Sequence, residues 1–359
     1  SLPNKPDDPE PAAGIKGKDD MFAFEAPRRR TTLNYLDMAS GQVMTVVSGD
    51  MDVRSFSIAR DAGTILLRIA PTRLLDDQPR SELWLLDPAT GDRRRLTNND
   101  YREDDAQLAP DGKSALFVAN ASGGKYATVN RRLFVVDTAT GAIRQLTEGL
   151  PWAIEDALWS ADASEIYVTA QAGVRTNLHA IAVATGKFRT LQNCDCVISS
   201  PRLSRDGRTL AYLRASATQP AEVVRIDPVG ANAPVQVTAL NDDIGKRFQL
   251  PRQEQIQWAG PEGQMLEGLV TYPLGYAPGK RYPLIVQSHG GPRSADQFNI
   301  FSFGRFLPLL AAHGFVTLSV NYRGGTGYGA AFLEGMYGDY FPGPHRGGGT
   351  QRASFPVAH

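Results

Sequence analysis

From residue 33 to about 240 the chain alternates short apolar runs with polar turns at a steady spacing. One recurring unit closes an apolar strand on an Asp and a turn ending in Ser/Thr-Gly. It appears as Leu36-Asp37-Met38-Ala39-Ser40-Gly41, as Leu83 to Leu86 before Asp87-Pro88-Ala89-Thr90-Gly91, and as Leu133 to Val136 before Asp137-Thr138-Ala139-Thr140-Gly141. It returns as Ile181 to Ala184 before Thr185-Gly186, and in degenerate form from Val223 to Gly230. Asp37, Asp87 and Asp137 are spaced 50 residues apart. Between these units lies a second one, a strand, a Pro-Asp-Gly-like turn and another apolar strand. Its turns are centred on Asp61, Asp111, Asp162 and Asp206. Asp-Gly suits a tight connection between antiparallel strands, because Gly tolerates positive φ. Small antiparallel sheets repeating every 40 to 50 residues or so predict propeller blades, four well marked and a weaker fifth. Five could close a ring by themselves. The Pro-rich start without an initiator Met favours blades lying before Ser1.

The repeat stops near Asp242 to Pro251, and Gln255 to Pro273 predicts a β-hairpin around Gly260-Pro261-Glu262-Gly263. Leu284-Ile285-Val286 is continuous and apolar, as in a strand buried on both faces of a parallel sheet. His289-Gly290-Gly291-Pro292 follows at its carboxyl end, where open α/β sheets place ligands. Phe303 to Ala312 has the spacing of a short amphipathic helix, and Phe315 to Val320 that of a second buried strand, completing a βαβ unit. Asn321-Tyr322-Arg323-Gly324-Gly325-Thr326-Gly327-Tyr328-Gly329 closes it. Two glycines let backbone approach a substrate and aim an N–H at it, which is what an oxyanion hole needs. By itself the His-Gly-Gly-Pro turn leaves His289 open to a structural or a functional role.

Composition narrows the field. Lys+Arg and Asp+Glu are each 38 of 359 residues, for a formal net charge of zero. That balance offers no electrostatic case for nucleic acid as a partner, and the Arg28-Arg29-Arg30 and Arg93-Arg94-Arg95 triplets are expected as solvated loop residues. No apolar run reaches membrane-spanning length. Residues 1–30, rich in Pro, Lys and Asp, read as a disordered lead with no apolar core of a signal peptide, so the compartment stays open. Cys194 and Cys196 flank Asp195, and two unpaired thiols are expected, because an i,i+2 disulfide fits backbone geometry poorly and no further metal ligands lie nearby. No cofactor is expected. Asp105 and Asp156 each stand six residues before the turn Asp of their own blade, which predicts a repeated structural role over an anchor for a substrate amino group.

These features together resemble the prolyl oligopeptidase family of serine peptidases, in its acylaminoacyl- and dipeptidyl-peptidase-like branches. The matches are the Asp-Gly blade turns, Glu267-Gly268, Tyr282-Pro283-Leu284, His289-Gly290-Gly291-Pro292, Asn321-Tyr322-Arg323-Gly324 and Gly338-Asp339. The resemblance implies an all-β propeller domain followed by the N-terminal part of an α/β-hydrolase domain. The expected division is a lead at 1–30, blades at 31–245, the partial hydrolase domain at 250–340 and an aberrant Pro/Gly/Arg tail at 341–359. It also implies an oxyanion hole at Gly290 or Gly291, with His289, Asn321 and Arg323 near the active site and short peptides as substrates. The family's nucleophile lies in Gly-x-Ser-x-Gly, and no such pattern occurs in the 359 residues. The tail, with His345 and His359, reads as the product of a frameshift. The expectation is therefore a chain cut before its catalytic Ser, with no catalytic triad and no turnover. The alternatives are a propeller that is itself a protein-binding module and carries a vestigial hydrolase tail, and a lipase-like esterase, which would leave the propeller unexplained.

Overall fold

The structure, a computed structural model, describes residues 31–47, 52–60, 63–72, 74–120, 130–230, 233–260, 263–291, 293–300 and 306–339. The lead, the tail with His345 and His359, the first Arg triplet and Pro292 lie outside the described residues. Two compact units are distinguished, one of residues 1–126 with 135–143 and one of residues 127–134 with 144–359.

The first unit opens with a hairpin, β1 (Leu33–Leu36) and β2 (Val43–Val47). A four-stranded antiparallel sheet follows in the order β3 (Asp52–Ile58), β4 (Ile65–Ala70), β5 (Glu82–Leu86) and β6 (Arg93–Arg95). Leu33, Val47, Val53, Leu67, Ile69 and Leu86 form its core. The next sheet has the same plan, with β7 (Asp104–Leu108), β8 (Ser114–Ala119), β9 (Arg132–Asp137) and β10 (Ile143–Gln145). In the second unit come β11 (Ala153–Trp159), β12 (Glu165–Ala172), β13 (Arg175–Ala182) and β14 (Phe188–Gln192). After them run β15 (Cys196–Leu203), β16 (Leu210–Ser216), β17 (Glu222–Ile226) and β18 (Val235–Gln236). These are two more repeats, joined at a single parallel pairing of Thr176 with Val197.

The turn chemistry explains the repeat. Asp37, Asp87, Asp137 and Asp227 each accept two backbone N–H groups two and three residues on, at 2.8–3.4 Å. Such side-chain bonds reproduce a backbone turn. The closing glycines Gly41, Gly91, Gly141 and Gly186 hold φ of 71°, 78°, 75° and 70°. Ala182 replaces the Asp in one copy, and the Gly186 N–H to Ala182 carbonyl bond persists at 2.8 Å. Positive φ at the Gly is thus the stricter requirement. A Thr hydroxyl two residues beyond the last strand accepts an N–H from the third in three repeats: Thr97 from Leu83, Thr147 from Leu133 and Thr238 from Val223, at 2.8–3.0 Å.

Every repeat also carries a β-bulge in its first strand, between Val53 and Ser55, Asp104 and Gln107, Ile154 and Asp156, and Ser199 and Arg202. Asp105 and Asp156 occupy it, and the equivalent positions are Ser55 and Ser200. Asp105 and Ser200 both adopt φ of 54°. Asp156 accepts the Thr169 hydroxyl at 2.9 Å and the Ser200 N–H at 3.1 Å. The shared position is a bulge that twists the strand.

Two expectations are corrected. Cys194 and Cys196 are joined as a disulfide. A three-residue turn at Asp195, closed by the Cys196 N–H to Cys194 carbonyl bond of 2.8 Å, brings the two Cα atoms to 5.2 Å, inside the range a disulfide accepts. The second Arg triplet is the edge strand β6 and not a loop. Arg95 binds Glu82 at 2.7 Å and Asn98 at 2.8 Å, and a charged edge of this kind resists pairing with other strands.

Beyond β18 a short helix, α1 (Ile244–Arg247), leads to the last sheet. It is ordered β19 (Gln253–Ala259), β20 (Met265–Thr271), β22 (Val316–Asn321), β21 (Leu284–Ser288). The predicted hairpin is β19–β20. β21 and β22 are parallel, linked through α2 (Leu307–Ala312), and α3 (Ala330–Glu334) follows. β22 is buried along its whole length, as expected. β21 is not: Val286 is 42% exposed, because β21 is the edge strand and, among the described residues, has a neighbour on one side only. Gly268 on β20 is dictated by close approach, since a Cβ there would lie 2.4 Å from the Ser319 carbonyl of β22.

Candidate functional site

The turn after β21 is built by its neighbour. His289 is buried and its ring stacks on Tyr322 at 4.5 Å between centroids and 15° between planes. Its Nδ1 lies 3.0 Å from the Gly290 carbonyl, so that nitrogen carries the proton. Its Nε2 is buried without a partner among the described residues. Burial holds the imidazole below its usual pKa, which keeps it neutral. Tyr322 donates its hydroxyl to the His289 carbonyl at 2.6 Å, tying the loop after β22 to the turn after β21. His289 thus supports the turn from beneath.

Gly290 and Gly291 are exposed on that turn. A Cβ at Gly291, whose φ is 134°, would come within 2.7 Å of the Arg293 nitrogen, whereas one at Gly290 would meet nothing within 4 Å. The turn therefore needs glycine at Gly291 for its path and leaves the Gly290 backbone open to a bound molecule.

Asn321, the last residue of β22, is fully buried. Its Oδ1 accepts the Asp296 N–H at 2.7 Å, and its Nδ2 donates to the Asp296 carbonyl at 2.9 Å and to the Tyr328 hydroxyl at 2.7 Å. It pins the segment after the two glycines at both backbone atoms of one residue. Asp296 is buried, with Oδ2 unpartnered among the described residues, and burial pushes its carboxyl up to about 6. Arg323 pairs with Asp339 and its stem lies against Gly335, bracing the end of α3. Of the five site residues read from the sequence, the structure gathers His289, Gly290, Gly291 and Asn321 around one turn. It places Arg323 on the neighbouring loop.

A second set of contacts was not legible from motifs. Glu267 on β20 accepts the Val174 N–H at 2.9 Å, Gln257 Nε2 at 3.1 Å and the Tyr328 hydroxyl at 3.3 Å. Burial and the Glu267 and Asp296 charges push the Tyr328 hydroxyl well above its usual range. The β12–β13 connection reaches the same loops. The Gly173 N–H donates to the Gly327 carbonyl, and the Phe298 N–H to the Val174 carbonyl, both at 2.9 Å. The Thr326 hydroxyl donates to Gln171 Oε1 at 2.7 Å, and Gln171 Nε2 donates to the Thr326 backbone carbonyl at 3.3 Å. Val174, Leu269 and Phe298 form a small apolar core at this junction. The sequence signals for it were the Glu267-Gly268 pair and the Gly-rich loop at 321–329. Asp296 and the Gly173 apex carry no pattern of their own.

The arrangement presents an exposed two-glycine turn beside a neutral, buried imidazole at the carboxyl end of a parallel strand, and the chain contains no Ser in a Gly-x-Ser-x-Gly setting. No protein-family model matches the chain. It is 29% identical over 235 residues to dipeptidyl-peptidase 5 of Porphyromonas gingivalis, covering 65% of this chain and 34% of that protein. To the acylamino-acid-releasing enzyme of Mus musculus it is 23% identical over 375 residues, covering 94% of this chain and 49% of that enzyme. Among solved structures, Pyrococcus horikoshii acylaminoacyl peptidase superposes with a TM-score of 0.73 at 18% identity, covering 96% of this chain and 54% of that one. The chain thus spans between a third and about half of these proteins.

Proposed function

We propose that this chain, a relative of the prolyl oligopeptidase-family serine peptidases, forms the oxyanion-hole side of a peptide-hydrolysing site. The repeats within 31–245 are propeller blades, and 250–340 is the first part of an α/β-hydrolase domain. The observation that carries this reading is the exposed Gly290-Gly291 turn at the carboxyl end of β21, held by His289, Tyr322 and Asn321. A tetrahedral intermediate places negative charge on the former carbonyl oxygen, and a fixed N–H within hydrogen-bonding distance stabilises it without reorganisation. Because the turn is clamped before substrate arrives, that orientation is already in place. Short peptides are the proposed substrates, as the names of the relatives suggest. The acyl-enzyme step needs a nucleophile in Gly-x-Ser-x-Gly, which these 359 residues do not contain.

The test uses the chain labelled with ¹⁵N-glycine and titrated with a short peptidyl phosphonate, a stable tetrahedral anion. Gly290 and Gly291 amide resonances, identified with a Gly290→Ala variant, should shift. Shifts confined to other glycines would overturn the assignment. A fluorophosphonate probe should leave the same polypeptide unlabelled, and covalent labelling would show a nucleophile outside the expected motif.

One observation favours a second reading, a binding module built on the repeats. An open pocket of about 610 Å³ is lined by Ser160, Asp162, Glu165, Tyr167, Arg189 and Arg208. It lies at the Glu165 end of β12, about 26 Å by strand rise from the Gly173 end that meets the site loops. Ligands that shift resonances at Glu165 and Arg189 but not at Gly290 would support that reading.

A further inference from the structure

The Cys194–Cys196 disulfide has a consequence that reaches beyond its own turn. Asp195, held between the two half-cystines, binds Arg175 at the start of β13, with Nε at 2.7 Å and Nη2 at 2.5 Å from its Oδ1. The same guanidinium donates from Nη1 to Gln255 Oε1 on β19 at 2.6 Å and lies over the Phe298 ring at 5.1 Å. Arg175 is therefore a node. Its carboxylate partner comes from the disulfide turn, and its other two partners come from the hairpin and from the segment that follows the two glycines. Cys196 is buried in the core of the last two repeats, whereas Cys194 is half-buried. Besides the disulfide, the turn is held by the Cys196 N–H to Cys194 carbonyl bond and by a 3.4 Å bond from the Cys194 N–H to Asn177.

We propose that Cys194–Cys196 is a thiol-exchange site, and that its reduction by a dithiol frees Asp195 from Arg175 and loosens the seat of residues 253–259 and 296–300 on β13. A reductant thiolate attacks Sγ of Cys194, the more exposed half. The S–S bond breaks, and Cys196 leaves as a thiolate and takes up a proton. The second thiol of the reductant then attacks the mixed disulfide, which releases Cys194 and closes the reductant into its own disulfide. Two electrons pass to the protein, and each cysteine ends as a thiol. With the covalent ring open, Asp195 is no longer constrained to face Arg175, and a half-exposed ion pair worth about 1 kcal/mol at most is given up. Arg175 remains bonded to Gln255 but without the carboxylate that orients it.

The chain contains two cysteines, so a thiol count reads the state directly. Under native conditions a dithiol should raise the count from none to two. Hydrogen exchange should then quicken in peptides covering 173–178, 253–259 and 296–300 by up to about fivefold, the factor equivalent to ~1 kcal/mol. Exchange across β4 should not change. Arg175→Ala in the oxidised chain should reproduce the faster exchange at 253–259 and 296–300, with reductant adding little. A Cys194→Ser/Cys196→Ser variant should exchange like the reduced chain and ignore the dithiol. Any of three results overturns the proposal: a disulfide that resists the dithiol until the chain unfolds, thiols that appear without faster exchange in these peptides, or an equal response in the cysteine-free variant. If the cysteine-free variant does not fold, the Arg175→Ala comparison decides.

Discussion

Removing the carboxylate of Glu267 is the perturbation that most directly tests how the site loops are held. In Glu267→Ala the Val174 N–H, fully buried, loses its acceptor at 2.9 Å. An unsatisfied buried donor costs about 1–3 kcal/mol. Tyr328 loses a long bond of 3.3 Å but keeps Asn321, so this loss adds about 0.5 kcal/mol. Gln257 is exposed and re-forms its bond with water at almost no cost. The expected total is about 1.5–3.5 kcal/mol, which at a urea m-value of about 2 kcal/mol/M lowers the midpoint by roughly 0.8–1.8 M. Trp258, buried beside β20 in the sheet core, reports the transition by fluorescence. Glu267→Gln keeps an acceptor for Val174 and should lose only about 1 kcal/mol. If Glu267→Ala changes the midpoint by less than the equivalent of about 0.5 kcal/mol, the carboxylate does not hold the junction. If Glu267→Gln costs as much as Glu267→Ala, charge matters and the bond to Val174 does not.

Other outcomes follow from the same structure. His179, stacked on Trp152 at 4.3 Å, has its pKa lowered by burial to about 4, so it stays neutral in the folded chain while the unfolded chain takes up a proton below about 6.5. Stability should fall as pH drops from about 6.5 to 4, by roughly 3 kcal/mol, and His179→Phe should flatten that slope in pH-dependent thermal melts. Glu103 slopes the other way. Burial outweighs its bonds from Thr97 and Asn99 and raises its pKa to about 8, so its contribution is full below about 4.5 and is lost as pH rises towards 8, and Glu103→Gln should abolish that loss. Ala163 holds a φ of 61° where Asp111 and Asp206 are followed by Gly, so Ala163→Gly should stabilise the chain by about 0.5–1 kcal/mol, seen as a higher Tm. Gly268→Ala should cost about 3 kcal/mol or more, because the new Cβ meets the backbone of a central strand, and an unchanged Tm would contradict the β20–β22 spacing.

Much of the architecture was legible because its causes are local. An Asp that accepts N–H groups two and three residues ahead, followed by a Gly at positive φ, is complete within five residues, so every such turn and the strands it joins could be read directly. The β19–β20 hairpin and the strand–turn–strand around Gly290 and Gly291 were readable for the same reason. Tertiary structure decided whatever depends on partners far along the chain. Val286 looked like the middle of a buried strand, but burial needs neighbours on both sides, and among the described residues β21 has one. Glu267 and Val174 are 93 residues apart, and Gln171 and Thr326 are 155 apart, and no periodicity connects such pairs. The Cys194–Cys196 bond turned on how tightly Asp195 bends the chain, a dihedral preference that residue spacing does not encode. Sequence alone thus determined the strands, the turns and the glycine-built loop. Long-range packing determined which polar side chains lock that loop to the repeats, because those bonds exist only once distant segments share a buried, low-dielectric environment.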